Sequence, residues 1–184
     1  MAETGGFADP ELAADGVAQA EALAGWLAAE PLDAVWTSPL RRARETAAPL
    51  TERTGLPATV GDDLAEWDRD AGAYITMEEL KATGHDVWHA MRDGRFDDLG
   101  IDVEAFRTRV VTAIDAIAAA HPGQRVVVVC HGGVINTYLA SVLGLDTMLF
   151  FEPAYTSISR VLVARDGTRS VRSMNEIGHL HGGA

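Results

Sequence analysis

The segment that most constrains the fold is RVVVVCHGGV, residues 125–134, where an apolar run passes directly into a pair of glycines. Residues 126–130 show no polar alternation, which is typical of a central parallel strand covered on both faces. Residues 134–142 then follow a helical pattern, with Gly144 as the expected stop. A strand, a tight turn and a helix in this order predict one βα unit of an α/β fold.

The turn of this unit consists of His131, Gly132 and Gly133. Glycine permits a sharp turn and a close approach of the backbone to a ligand. The free N–H groups and the dipole at a helix N-terminus attract anions, so an imidazole placed there suggests phosphate chemistry. A histidine that only caps the helix is the alternative, and this segment alone does not decide between the two.

Composition excludes several classes of function. The net charge of −12 argues against general nucleic-acid binding and against binding to an anionic membrane surface. A small anionic substrate would therefore need a local basic pocket. The 184 residues, 47% of them hydrophobic, are enough for one sizeable core, and we expect a single domain over residues 1–184.

Cysteine usage and the first residues bear on the compartment. Cys130 is the one cysteine, which fits a reducing environment, and its place at a strand end predicts a buried, unreactive thiol. No apolar run approaches the roughly 20 residues of a membrane-spanning helix. The start, MAETGGFADP, lacks the basic and apolar regions of a signal peptide. We expect a cytoplasmic protein.

The rest of the chain continues the alternation of helices and strands. Helices are predicted at 12–29 and 40–53 and after Asp102, strands at 34–38 and 58–60, and a hairpin around Asp166-Gly167. Residues 61–100 are polar, with short helical pieces, and are predicted to be a lid-like insert. The order of elements predicts a three-layer α/β/α sandwich with a mostly parallel central sheet.

Two further segments carry candidate chemistry. SPLRRARETA, residues 38–47, also begins where a strand ends, so it should face the same crevice as the His131 turn. One of its three arginines could clamp a phosphate from the first helical turn, and the other two are expected only to solvate the helix. Glu66, in LAE at the start of the insert, could act as a general acid for a leaving oxygen, although surface glutamates are common.

In this order, SPLRRARETA, LAE and VVVVCHGGVI resemble the motifs of the histidine phosphatase (phosphoglycerate mutase-like) superfamily. The resemblance extends over nearly the whole chain and includes LAADGVAQAEALAGWL in the first helix. It implies that Arg42 and Gly132 bind phosphate, that Glu66 donates a proton and that His131 stabilises the transferring phosphoryl group. It implies no metal and no cofactor.

One part of the family pattern is missing. The family begins with a strand that ends in Arg-His-Gly, whose histidine is the nucleophile, and the eleven residues before Leu12 contain neither Arg nor His. Either the native product starts further upstream, which we favour, or a partner chain fills the gap. His85 and His89 have metal-ligand spacing without a further ligand motif, so a solvated helix face is expected. His121 is expected to end a helix. His181 precedes two glycines but follows no apolar strand, and neither it nor His179 is expected to replace the nucleophile.

The sequence therefore leaves two main hypotheses. The first is a phosphomonoester hydrolase that acts through a phosphohistidine intermediate, with hydrolysis favoured over mutase activity because the insert is short. The second is an inactive relative that binds a phosphorylated ligand or a protein, since a phosphate cradle without a nucleophile binds phosphate and does not turn it over. Zinc-dependent hydrolysis is a distant third. The expected partner is a small phosphorylated substrate or phosphate, with no nucleic acid and no membrane, and homo-oligomerisation stays open.

Overall fold

The computed structural model describes residues 9–71 and 75–181. It is a mixed α/β fold, and its elements alternate as the sequence predicts. The helices are α1 (Ala14–Leu27), α2 (Arg41–Thr54), α3 (Met77–Thr83), α4 (Asp86–Arg92), α5 (Val103–Ala120) and α6 (Gly132–Leu143). The strands are β1 (Ala34–Thr37), β2 (Ala58–Val60), β3 (Val126–Val129), β4 (Ile158–Val163) and β5 (Arg169–Glu176).

The strands form two sheets. Strands β2, β1 and β3 lie side by side in that order and are parallel, while β4 and β5 form an antiparallel hairpin. Residues 126–130 were expected to form a central strand, and this is wrong: β3 ends at Val129 and lies at the edge of the three-stranded sheet. Its residues 126–128 are only half-buried for that reason. A run of valines predicts that both faces of a strand are apolar, but it does not predict how many strands pair with it.

Helices pack on both faces of the parallel sheet. Val35 belongs to a buried cluster with Leu23 and Leu50 from α1 and α2. The next residue, Trp36, points to the opposite face and bonds through Nε1 to His121 at the end of α5, at 3.2 Å. This arrangement gives the predicted three layers, and none of the helices in the described ranges is long and apolar enough to cross a membrane.

A wide cleft separates β3 from the hairpin. Across residues 9–71 and 75–181, no ladder of hydrogen bonds joins β3 to β4. The cleft has a volume of about 2280 Å³ and is lined by all of β3 and by most of β4. Small-molecule sites are usually ~300–1,000 Å³, so the cleft has more space than a small substrate would fill.

The region 61–100 contains short helices rather than a second core. Besides α3 and α4 it holds two 3₁₀ turns, Asp62–Leu64 and Asp97–Leu99. Thr76 caps α3, with its hydroxyl accepting from the N–H of Glu79 at 3.2 Å. Tyr74, an aromatic residue of this region, lies outside the described residues.

Candidate active site

The candidate site lies where β1 and β3 end. These strands are parallel neighbours, and Thr37 pairs with Val129, so Ser38 and His131 leave the sheet close together. The Ser38 N–H donates to the Val129 carbonyl at 2.9 Å, and the Ser38 hydroxyl shares a hydrogen bond of 2.6 Å with His131 Nε2. The parallel register thus explains why the two motifs meet.

His131 is the first residue before α6, but its side chain does not cap that helix. Its imidazole is buried and is turned toward Ser38 instead, which argues against the simple helix-capping alternative. Burial, together with the positive charges of Arg42 and Arg109, lowers the pKa of His131 to about 3. The imidazole is therefore neutral near pH 7.

The two glycines after His131 do not form the predicted sharp turn. Helix α6 begins at Gly132, two residues earlier than expected, and neither glycine has a positive φ. A Cβ on Gly132 would have no neighbour within 4 Å, whereas one on Gly133 would overlap Trp67 and Glu66. Close packing, not a left-handed turn, is what requires a glycine at position 133.

Glu66 is buried beside the N-terminus of α6. Its Oε2 accepts a hydrogen bond from the Gly133 N–H at 2.8 Å, and its Oε1 accepts one from the Trp67 N–H at 3.1 Å. Burial is the main cause that raises the pKa of Glu66 to about 7, and the nearby Asp68 carboxylate raises it further. A carboxyl with this pKa can hold and release a proton near neutral pH.

Arg42 lies in the first turn of α2 and reaches into the cleft that Glu66 and His131 line. Its Nη2 forms an ion pair of 2.9 Å with Asp68 Oδ1. Arg41 and Arg44 of the same helix are exposed, and Arg41 pairs with surface glutamates. Of these three arginines, Arg42 lines the cleft and the other two do not.

The family model of the histidine phosphatase superfamily (branch 1) matches residues 2–176. This match spans most of the chain and agrees with the order of the three motifs. The chain belongs to the histidine phosphatase superfamily.

The relatives that match most of the length of this chain include phosphatases. Phosphoserine phosphatase 1 of Hydrogenobacter thermophilus is 26% identical over 169 residues, which cover 90% of this chain and 80% of that protein. The uncharacterized phosphatase PhoE of Bacillus subtilis is 28% identical over 179 residues, 96% of this chain and 88% of that protein. These relatives support a phosphatase at the level of the family.

Solved structures support the fold. A phosphoserine phosphatase from Entamoeba histolytica, in complex with 3-phosphoglyceric acid, matches with a TM-score of 0.77 and 23% identity. The match covers 95% of this chain and 89% of that one. The predicted phosphoglycerate mutase-like fold is confirmed.

Three residues of this histidine phosphatase site were not predicted as functional residues. Ser38 binds His131, and Asp68 binds Arg42. Arg109 on α5 donates from Nη1 to the carbonyls of Asp63 and Ala65, at 2.7 and 3.0 Å, and so fixes the backbone that leads to Glu66. Ser38 could have been found from its strand-end position, whereas no sequence pattern marks a side chain that binds backbone carbonyls.

The remaining candidates stay apart from the site. His85 precedes α4 and its Nδ1 accepts from the Val87 N–H, so it does not share a helix with His89 as their spacing suggested. The structure shows no group of metal ligands within residues 9–71 and 75–181. Cys130 is half-buried, and burial raises the pKa of its thiol to about 12, in agreement with an unreactive thiol.

Proposed function

We propose that this chain carries the phosphate-binding and proton-donating parts of a phosphomonoester hydrolase, which acts through a phosphohistidine intermediate. One observation carries the proposal: a guanidinium, a neutral imidazole and a buried carboxyl meet at the carboxyl ends of β1 and β3. They belong to Arg42, His131 and Glu66, and all three line one cleft. The family match and the phosphatase relatives support the same reaction.

In the proposed first step, Arg42 holds the phosphoryl oxygens and His131 stabilises the charge that develops on them. A nucleophilic histidine forms a bond to phosphorus while the bond from phosphorus to the ester oxygen breaks. Glu66 gives its proton to that oxygen, which leaves as an alcohol. In the second step the Glu66 carboxylate takes a proton from water. The water oxygen forms a bond to phosphorus while the bond from phosphorus to the histidine nitrogen breaks, and phosphate leaves.

The nucleophile is proposed to come from a strand that lies between β3 and β4. Among the described residues β3 pairs with β1 alone, so its other edge can accept a further strand, and the cleft beside that edge is lined by β3 and β4. A strand that ends in Arg-His-Gly and pairs with β3 would bring its histidine to the end where His131 lies. Its source is either an upstream segment or a partner chain.

The first test is the intact mass and the phosphatase activity of the native protein isolated from its source. A mass above 19.6 kDa, with an N-terminal peptide containing Arg-His-Gly, supports an upstream source. Phosphoserine is the first substrate to assay, because two of the matching proteins are phosphoserine phosphatases. A protein that carries the strand but releases no phosphate from any monoester would contradict the proposal.

Variants of that active protein separate the roles of the site residues. Glu66→Gln is expected to lower kcat by roughly 10²–10⁴-fold, because it removes the acid that protonates the leaving oxygen. Glu52→Gln, on the exposed side of α2, is its control. Arg42→Ala is expected to weaken phosphate binding, and Arg44→Ala controls for loss of a positive charge from the same helix.

A second candidate function is a phosphate-binding protein without turnover. The observation that favours it is that Arg42, Glu66 and His131 already line one cleft in the described residues. Protection against thermal unfolding by phosphate or vanadate, with no turnover by the native protein, would support it. Absence of such protection would count against it.

A further inference from the structure

The Arg42 guanidinium is engaged by an acidic side chain of the insert. Asp68 Oδ1 lies 2.9 Å from Arg42 Nη2, and the two side chains are 28% and 14% exposed. This distance is typical of a charge-assisted hydrogen bond. Both residues line the cleft, so the ion pair lies within the candidate site and not on the outer surface.

We propose that Asp68 competes with the phosphorylated ligand for Arg42. Its carboxylate binds Arg42 until a phosphoryl group displaces it. The inference rests on the proposed function, in which Arg42 binds phosphate. It adds a residue that sets the affinity and selectivity of that site.

Carboxylate and phosphate recognise a guanidinium in the same way. Both can accept two parallel N–H bonds from the planar fork of an arginine. Asp68 accepts from Nη2 of Arg42 at 2.9 Å, so a phosphoryl group that uses a fork containing Nη2 must displace Asp68 from that nitrogen. The two anions also repel each other, and placing like charges next to each other is costly.

The Asp68 side chain can rotate while its neighbours in the chain, Glu66 and Trp67, stay in place. Trp67 is held by edge contacts with Phe96 and Phe106, whose ring centroids lie 6.5 and 5.6 Å from its own. Glu66 is fixed by the Gly133 N–H at 2.8 Å. A rotation of the Asp68 side chain can therefore release Arg42 while both neighbours stay in place.

Competition of this kind favours strongly charged ligands. A phosphate dianion carries more charge than Asp68 and can displace it, whereas a carboxylate ligand has the same charge as Asp68. The site would thus discriminate against the many carboxylates of a cell. Asp68 lowers the affinity for phosphate and improves selectivity.

The test measures the affinity for inorganic phosphate by isothermal titration calorimetry at one fixed pH and salt concentration. Asp68→Asn is expected to bind phosphate about tenfold more tightly than the parent chain, and to lose selectivity for phosphate over acetate. Asp70→Asn is the control, since Asp70 lies in the same segment and is 73% exposed. It changes the net charge equally and should leave the affinity unchanged. Asp68→Glu keeps the charge and should stay close to the parent.

Several outcomes would overturn the inference. Equal or weaker binding by Asp68→Asn would mean that Asp68 orients Arg42 and does not compete with phosphate. If Arg42→Ala abolishes binding while Asp68→Asn changes nothing, the phosphate site stands and only the inference is wrong. If no chain binds phosphate, including the native protein, the proposed function is wrong as well. Damage to the fold cannot imitate the expected result, because it does not tighten binding.

Discussion

Gly133 lies so close to Glu66 that no side chain fits between them. The Gly133 N–H donates to Glu66 Oε2 at 2.8 Å, and a Cβ on Gly133 would lie 2.4 Å from Glu66 Oε1 and 1.8 Å from Trp67 Cζ3. The backbone at the start of α6 therefore packs directly against the Glu66 and Trp67 side chains at the start of the insert. This contact places the proposed proton donor beside His131.

Gly133→Ala is expected to destabilise the protein and displace Glu66. The Trp67 ring cannot retreat freely, because Phe106 lies behind it at a centroid distance of 5.6 Å. Overpacking of this kind lowers the free energy of unfolding by about 3 kcal/mol, which urea denaturation would measure. The control is Gly132→Ala, where a Cβ meets nothing within 4 Å. Equal effects of the two substitutions would contradict the packing argument.

Glu66→Gln is expected to change how stability depends on pH. The pKa of Glu66 is raised from 4.5 to about 7, so between these values the native state holds a proton that the unfolded chain has released. Stability from this group therefore falls as the pH rises through the window. The variant lacks this loss. The difference in free energy of unfolding, variant minus parent, should therefore increase by about 1.4 kcal/mol for each pH unit between pH 4.5 and 7.

His131 affects the pH dependence of the free energy of unfolding with the opposite sign. Its pKa is lowered from 6.5 to about 3, so between these values the unfolded chain holds the extra proton and stability rises with pH. In the parent the two effects oppose each other between pH 4.5 and 6.5. Glu52→Gln, at an exposed position, should leave the profile unchanged. A constant difference between Glu66→Gln and the parent would show that the Glu66 carboxyl titrates normally.

The sequence predicted the parts of the site that lie at strand ends. The segment that starts at Ser38 and the turn at His131 were expected to face one crevice, and parallel pairing of Thr37 with Val129 brings the two side chains to 2.6 Å, although Ser38 itself was not predicted as a functional residue. The edge position of β3 was not predicted, because valines report the burial of faces and not the presence of neighbouring strands. The Arg109 contacts could not be predicted either, since every residue has a backbone carbonyl that could accept them.

Arg109→Ala is expected to loosen the segment that carries Glu66. It removes hydrogen bonds from a charged donor to the carbonyls of Asp63 and Ala65, and it leaves the Phe106 ring without the guanidinium that lies 4.8 Å from its centroid. Hydrogen bonds to charged groups contribute about 1.5–3 kcal/mol each, so the loss should exceed 1 kcal/mol in urea denaturation. Arg44→Ala, at an exposed helix position, should change stability by less than about 0.5 kcal/mol. Equal losses of stability in the two variants would contradict the inference that Arg109 holds the backbone that leads to Glu66.

His131 is expected to gain a proton when phosphate binds. Burial and the charges of Arg42 and Arg109 lower its pKa to about 3 in the structure, but an anion nearby favours the protonated imidazole. In the presence of saturating phosphate, NMR titration of the ring should therefore give a higher pKa for His131 than in its absence. Arg42→Ala should abolish the phosphate effect. If the pKa of His131 stayed near 3 with phosphate bound to the protein, the anion would lie elsewhere, and His131 could not stabilise a transferring phosphoryl group as an imidazolium.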